Sequence, residues 1–326
     1  MHKLTGAIIS LFLVASAVVS CSHESDKAAI SRLDKVTYLY PQTGKAERER
    51  LLDSLRPQLS ALIRVTGIGE EADDSTVMIW AESYPVRVFT PMTDSIFSDL
   101  EWLEKSLGNI LKRAGDAGLE LPRRSYAAVV WGSPKSVVFD DSVALIALNH
   151  YLGSESPAYA GWPEYRRQLK DAFMLPYDIT EASVATAYPY RPARLPEGTV
   201  LSRMLYEGAL AYAKIALIKD AKDNLAMGFT PQQFDDIVAN RKYTWNKLAT
   251  GKLLYSTDPE LHARLFSLLP HSTPLSARAP GRALRYTGLE IVRSYVKTHP
   301  DVTLRYLLSP EFYNGESTLR DAGYRP

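Results

Sequence analysis

Cysteine is nearly absent from this chain of 326 residues, in which Cys21 is the single thiol. One thiol excludes both an intramolecular disulfide and a cluster of thiolate metal ligands. A charge imbalance is also absent, because 38 basic residues face 37 acidic ones. Nucleic-acid binding requires a clustered basic excess, so we predict no nucleic-acid partner.

Histidine pairs with metal-binding spacing are missing as well. The chain has six histidines, none of them four positions from another: His2, His23, His150, His262, His271 and His299. A zinc peptidase helix of the His-Glu-x-x-His type requires that spacing, because positions i and i+4 share one helical face. The Gly-x-Ser-x-Gly and Gly-x-x-x-x-Gly-Lys-Ser/Thr motifs are absent too. These absences predict no metal, no cofactor and no catalytic residue that a motif identifies.

The amino terminus carries a compact apolar run that is too short for a transmembrane helix. Val18-Val-Ser-Cys21 follows this run and has the pattern of a bacterial lipobox. We predict a signal peptide at residues 1–20, palmitate attachment at Cys21 and a polar tether over residues 21–32. Cys21 would then anchor the chain in a lipid bilayer, namely the outer membrane of a Gram-negative cell. An uncleaved signal anchor is the alternative.

Residues 33–326 have the pattern of a single α+β domain with a small mixed or antiparallel sheet. The sheet-containing half spans residues 33–153, and a largely helical half spans residues 154–326. Three short β-like runs predict sequential strands of a meander at residues 126–131, 136–139 and 143–148.

The amino-terminal half also contains helical and further strand-like patterns. A leucine stripe predicts a helix over residues 45–65, in which Pro57 causes a kink or a division into two shorter helices. Residues 76–80 have the composition of a strand, and residues 86–89 are predicted to pair with them. A long apolar stripe over residues 96–111 predicts a further helix.

One carboxylate, Glu207, lies beside the apolar face of a helix predicted over residues 201–215, with Thr199 as its cap. In one large group of zinc peptidases a Glu-Gly pair of this kind carries a metal-binding glutamate. The alternative is an ion pair between the buried carboxylate and an arginine, for which there are four candidates: Arg203, Arg282, Arg285 and Arg293. The Asp140-Asp141 pair, together with Glu207, could supply the two carboxyl groups of a glycosidase. The alternative is that Asp140-Asp141 forms a turn between two strands.

Several motifs in order resemble the gliding motility lipoprotein GldB family of the Bacteroidetes. Besides the lipobox they are Ile146-Ala-Leu-Asn-His-Tyr-Leu-Gly153, Arg203-Met-Leu-Tyr-Glu-Gly208, Leu253-Leu-Tyr-Ser-Thr-Asp-Pro259, Ala279-Pro-Gly-Arg282, Ile291-Val-Arg-Ser-Tyr295 and Pro300-Asp-Val-Thr-Leu304. The resemblance runs from roughly residue 125 to residue 310, and the first 120 residues match only in length and general pattern.

The resemblance implies a membrane lipoprotein associated with gliding motility and, in related systems, with type IX secretion. It also implies a zincin-like fold that has lost its metal motif, in agreement with the lack of histidine in residues 179–188. Glu207 then stands where the peptidases keep a ligand, and with His150 and Tyr206 it forms a candidate relic site. His150 as a hydrogen-bonded core or rim residue is the alternative. Candidate binding residues in the shared motifs are Arg282, Arg293 and Tyr295.

These expectations describe a pseudoenzyme, that is, a non-enzymatic accessory or binding component of envelope machinery for motility or secretion. Its partners would be the bilayer, through Cys21, and other envelope proteins. The alternative is an envelope hydrolase that acts on peptides or glycans at a site around Glu207.

Overall fold

The computed structural model describes residues 27–122 and 124–326. The predicted signal peptide, Cys21 and half of the predicted tether lie outside these residues. The first strand, β1 (Ile30–Arg32), already belongs to the sheet, and the Ile30 side chain is buried. Residues 30–32 of the predicted tether belong to the folded body, because this strand pairs with a central strand of the sheet.

The described residues contain one mixed four-stranded sheet, which confirms the predicted α+β class. Its other strands are β2 (Ser125–Val129), β3 (Val137–Asp140) and β4 (Val143–Ala147), in the order β1-β2-β4-β3. The predicted meander is wrong, because β2 runs parallel to both β1 and β4, and only β3 and β4 form an antiparallel hairpin. Burial explains this order: β4 is fully buried and takes a central place, whereas β3 is half-buried and forms an edge.

Five amino-terminal helices pack around one face of the sheet, and a sixth packs against the other face. They are α1 (Leu33–Leu39), α2 (Lys45–Ser54), α3 (Arg56–Thr66), α4 (Asp74–Ala81), α5 (Tyr84–Ile96) and α6 (Glu101–Asp116). Pro57 lies in the first turn of α3, where a missing N–H is tolerated, so the predicted division into two helices is confirmed.

The strands predicted at residues 76–80 and 86–89 are wrong, because these residues lie in α4 and α5. A capping box between Asp73 and Thr76 begins α4, and Pro85 lies in the first turn of α5. Local helix-start signals therefore override the strand propensity of the β-branched and aromatic residues that follow.

The carboxy-terminal half is helical. Its helices are α7 (Glu164–Arg167), α8 (Leu175–Ala187), α9 (Val200–Leu217), α10 (Asp223–Met227), α11 (Pro231–Ala239), α12 (Arg241–Thr250), α13 (Pro259–Phe266), α14 (Leu284–Thr298), α15 (Leu304–Leu307), α16 (Pro310–Tyr313) and α17 (Thr318–Ala322). The predicted cap of the central helix α9 is confirmed, since the Ser202 amide donates to Thr199 Oγ1 at 3.1 Å.

The sheet separates two hydrophobic cores, because successive strand residues point to opposite faces. Ala127 and Leu145 face an amino-terminal core formed with helices α1 to α5. Ala128 and Ile146 face a larger core formed with α6, α8, α9 and α14. Among the described residues, no helix has both the length and the hydropathy to cross a membrane.

Candidate functional site

A glycine contact draws α9 and α14 unusually close together. A Cβ added to Gly208 would lie 2.2 Å from the carbonyl carbon of Gly288, and one added to Gly288 would lie 2.0 Å from the carbonyl oxygen of Met204. Backbone atoms cannot withdraw from such contacts, so both positions require glycine. This approach brings Glu207, next to the first glycine, against Arg285, one turn before the second.

Glu207 lies in an ion pair with two arginines. Its side chain is 5% exposed, and Arg203 Nη2 lies 2.7 Å from Oε1 while Arg285 Nη2 lies 2.8 Å from Oε2. Burial alone would raise the pKa of Glu207, but the charges of Arg285 and Arg203 outweigh burial and lower it. The carboxylate is therefore ionised, and of the four arginines considered these two are its partners.

A second carboxylate shares Arg285. In α8, Glu181 Oε1 lies 2.7 Å from Arg285 Nη2, and Lys214 Nζ donates to Glu181 Oε2. Burial would raise the pKa of Glu181, but Arg285 and then Lys214 lower it. Burial would lower the pKa of Arg285, but the two carboxylates hold it above its ordinary value. We call Glu181, Glu207, Lys214 and Arg285 the ion cluster; it links α8, α9 and α14.

A cavity of about 440 Å³ opens beside the ion cluster. Its charged lining consists of five cations and two carboxylates: Arg166, Lys170, Lys214, Arg282, Arg285, Asp178 and Glu181. Asp178 accepts a hydrogen bond of 2.8 Å from the Tyr151 hydroxyl, and burial raises the pKa of this carboxyl. The cavity wall thus has a cationic excess.

Two of the cations on this wall have unusual surroundings. Lys170 Nζ lies 3.4 Å from Ser136 Oγ and 5.6 Å from the centre of the Tyr151 ring, and burial lowers its pKa. Arg282 has a φ of 63°, which is in the left-handed region that a side chain with a Cβ rarely adopts. Backbone strain of this kind concentrates at functional sites.

The candidate relic residues do not meet in this cavity. His150 lines a neighbouring cavity of about 400 Å³, and its Nδ1 lies 3.0 Å from Ser136 Oγ. Burial, and then the charge of Lys170, lower the pKa of His150 to about 3, so the imidazole is neutral at physiological pH. The Tyr206 hydroxyl donates to the Tyr188 carbonyl at 2.9 Å. Neither His150 nor Tyr206 lines the cavity beside the ion cluster.

Of the three candidate binding residues, Arg282 alone lines this cavity. Arg293 forms a bidentate pair with Asp223 at 2.7 and 2.8 Å. Tyr295 stacks on His299 with a ring separation of 4.1 Å. These two side chains therefore have partners away from the cavity.

The acidic pair at residues 140 and 141 occupies the turn between β3 and β4. Asp140 lies 2.6 Å from Arg64, and Asp141 has a φ of 45°. The plain turn is thus the arrangement that the structure shows, and neither carboxylate lines the cavity beside Glu207.

Sequence reasoning missed Lys170, Asp178 and Lys214. Lys214 follows Glu207 by seven positions, so both lie on one face of α9, and this second buried charge was a usable signal. Lys170 has no comparable sequence signal, because it lies in an irregular segment between short helical turns.

The donor set does not suit a metal. The described ranges contain no group of three or more His, Cys, Asp or Glu side chains placed to hold a metal ion. Glu181 and Glu207 are each occupied by cationic side chains of the protein. A zinc site needs at least three protein ligands, usually with imidazole or thiolate among them.

These features define an α+β protein whose central helices close around a buried ion cluster. The family model described as gliding motility protein GldB matches residues 17–326, nearly the whole chain, and the chain therefore belongs to this family. Membership relates the chain to gliding motility and to membrane-associated proteins of the cell envelope. No curated protein and no solved structure matched the chain in the same comparisons.

Proposed function

We propose that the protein is a lipid-anchored, non-enzymatic binding component of the envelope machinery for gliding motility and associated type IX secretion. The family match supports the motility part. It begins at residue 17 and so includes the lipobox and Cys21, which supports the lipid anchor. Placement in the outer membrane and contacts with other envelope proteins belong to the same proposal.

The non-enzymatic part of the proposal rests on the position of Arg285. Its guanidinium lies between a carboxylate of α8 and a carboxylate of α9, at 2.7 and 2.8 Å. In the zincin-like relation that we propose, these two helices correspond to those that hold the metal in peptidases. A guanidinium then stands in place of the metal cation and neutralises both carboxylates. An activated water for hydrolysis requires a free base or a metal, and Glu181 and Glu207 are both held in ion pairs.

Elemental analysis of the purified full chain tests this proposal. We expect zinc far below one equivalent per chain after purification without chelators. Glu207→Gln should leave the zinc content unchanged, as should the control Glu260→Gln, whose side chain is 79% exposed. One tightly bound zinc per chain, lost in Glu207→Gln but retained in the control, would overturn the proposal in favour of a hydrolase.

The lipid anchor has its own test. Cys21→Ala is expected to abolish incorporation of labelled palmitate and to release the chain from the membrane fraction, because no other thiol exists in the sequence. The neighbouring Ser22 provides the control, because Ser22→Ala should retain the label. Persistence of label in Cys21→Ala would contradict the lipobox interpretation.

A further inference from the structure

The cavity beside the ion cluster has more cations than its carboxylates neutralise. Glu181 and Glu207 balance Lys214 and Arg285 through the contacts described above. Asp178 is bonded to a tyrosine hydroxyl and forms no ion pair within the described ranges. The three remaining cations of the lining, which are Arg166, Lys170 and Arg282, have no carboxylate within ion-pairing distance in the part of the chain that the structure describes.

Arg282 is the most exceptional of these cations. Its Nε is fully enclosed and has no hydrogen-bond partner, and its guanidinium makes no ion pair with any described residue. The side chain passes close to Gly228, where an added Cβ would lie 3.4 Å from Arg282 Nη2. Burial, and then the nearby charge of Arg285, lower the pKa of Arg282 to about 10, so the group is still charged at neutral pH. Arg282 is partly buried, a charge in such a place without a partner is costly, and a bound anion supplies the missing partner.

Lys170 and Arg166 extend this cationic wall to a second chamber. Both line the neighbouring cavity of about 400 Å³ as well as the first. That chamber is lined by the aromatic rings of Trp131, Tyr159 and Trp162. The two cavities therefore place cations next to an aromatic surface, which suits a ligand with a charged group and an apolar or ring-shaped body.

We propose that this double cavity binds a ligand through an oxyanion group, phosphate or carboxylate, which Arg282 and Lys170 hold. The planar guanidinium fork and the ammonium group match the geometry and charge of such a group. The aromatic chamber receives the rest of the ligand. This inference deepens the proposed binding function and rests on it, since it assigns the ligand class of the same site.

Thermal unfolding of the full chain in mild detergent tests the inference. Sodium phosphate and sodium acetate are compared with sodium chloride at equal ionic strength, and phosphate affinity is measured by calorimetry. We expect at least one of the two oxyanions to raise the Tm above the chloride value. Arg282→Gln should abolish this increase and weaken the affinity by about tenfold or more, because it removes a charge-assisted hydrogen bond.

A second readout separates a binding role from a structural one. In chloride alone, Arg282→Gln should raise the Tm, because it removes an unpaired and partly buried charge that Arg285 repels. A structural role predicts the opposite change. The control is Arg50→Gln, whose side chain is 76% exposed and paired with Glu47, and which should leave both readouts unchanged. Lys170→Met gives an independent variant, and it should also weaken the oxyanion response.

Each outcome has a defined meaning. A response to phosphate alone assigns a phosphorylated ligand, a response to acetate alone assigns a carboxylate, and a response to both assigns an oxyanion of either kind. Equal Tm values in all three salts would overturn the inference, as would an unchanged response in Arg282→Gln and Lys170→Met. The zinc measurement tests the proposed function separately, so the two failures are distinguishable.

Discussion

The two cores on either side of the sheet differ in their buried charges. The amino-terminal core consists of apolar side chains, and the buried charged group that lies near it among the described residues, Asp34, is paired with Arg32 at 2.7 Å. The carboxy-terminal core encloses the ion cluster. Because well-packed apolar residues usually stabilise a core as well as buried ion pairs do, or better, stability alone does not explain the cluster. The second core therefore differs from the first in that its charged groups line the candidate site.

The largest expected effect concerns the helix contact that assembles the second core. Gly288→Ala should lower the free energy of unfolding by about 3 kcal/mol or more, because the new Cβ would overlap the Met204 carbonyl oxygen at 2.0 Å. Urea denaturation monitored by circular dichroism measures this loss.

The matched control for this variant is Gly115→Ala in α6, where an added Cβ meets nothing within 4 Å. This alanine in the last turn of α6 should be neutral or stabilise the protein by up to about 1 kcal/mol. Equal effects of the two substitutions would show that the close approach of α9 and α14 is not required.

An effect of similar size concerns the ion cluster itself. Glu207→Gln should lower the free energy of unfolding by about 3 to 5 kcal/mol, because it removes a buried partner of Arg285 and Arg203. Leu62→Ala in the amino-terminal core should cost a similar amount, about 2 to 5 kcal/mol, through a cavity. Chemical denaturation at pH 7 measures both losses.

The pH dependence distinguishes these two variants. The pKa values of Glu181 and Glu207 are lowered below their ordinary value of 4.5, so their contribution to stability is present above pH 4.5 and is lost as the pH falls through the folded pKa values. The Tm difference between wild type and Glu207→Gln should therefore be largest near pH 7 and shrink in acid. The difference for Leu62→Ala should stay constant. A Tm difference for Glu207→Gln that does not change with pH would show that the two cores do not differ in the contribution of buried charges to stability.

The smallest effect is expected at the rim of the cluster. Arg203→Gln should lower the free energy of unfolding by at most about 1 kcal/mol, because the Arg203 side chain is 32% exposed and Glu207 keeps Arg285. Its effect should also weaken at high salt, since solvent ions screen the outer pair. A loss as large as that of Glu207→Gln would show that Arg203 belongs to the buried cluster.

The features predicted correctly are local in the sequence. Thr199 begins α9, and Pro57 marks the division between α2 and α3, because a capping side chain and a missing N–H act within one turn. The strands predicted at residues 76–80 and 86–89 are wrong because the helix-start signals at Asp73 and Pro85 override the strand composition of these residues.

The strand order and the composition of the site depend on contacts between residues that are far apart in the sequence. The meander was wrong because the pairing of β2 with β4 depends on burial of both faces, which a run of apolar residues does not reveal. For Glu207, the need for a partner was evident from the sequence, and Arg203 and Arg285 were among the candidates. The sequence does not distinguish Arg285 from Arg282 and Arg293 as a partner of Glu207. The position of Arg285 on α14, close to α8 and α9, makes it the partner.

The sequence by itself therefore determined the start of α9, the division between α2 and α3, the α+β class, the family resemblance and the presence of a carboxylate that needs a cation. The tertiary structure alone decided which cation it received, that Glu181 shares it, and that Arg282 is left without a partner beside a cavity. The physical reason is distance: capping and periodicity act over a few residues, whereas an ion pair forms only where the close approach at Gly208 and Gly288 brings remote helices together.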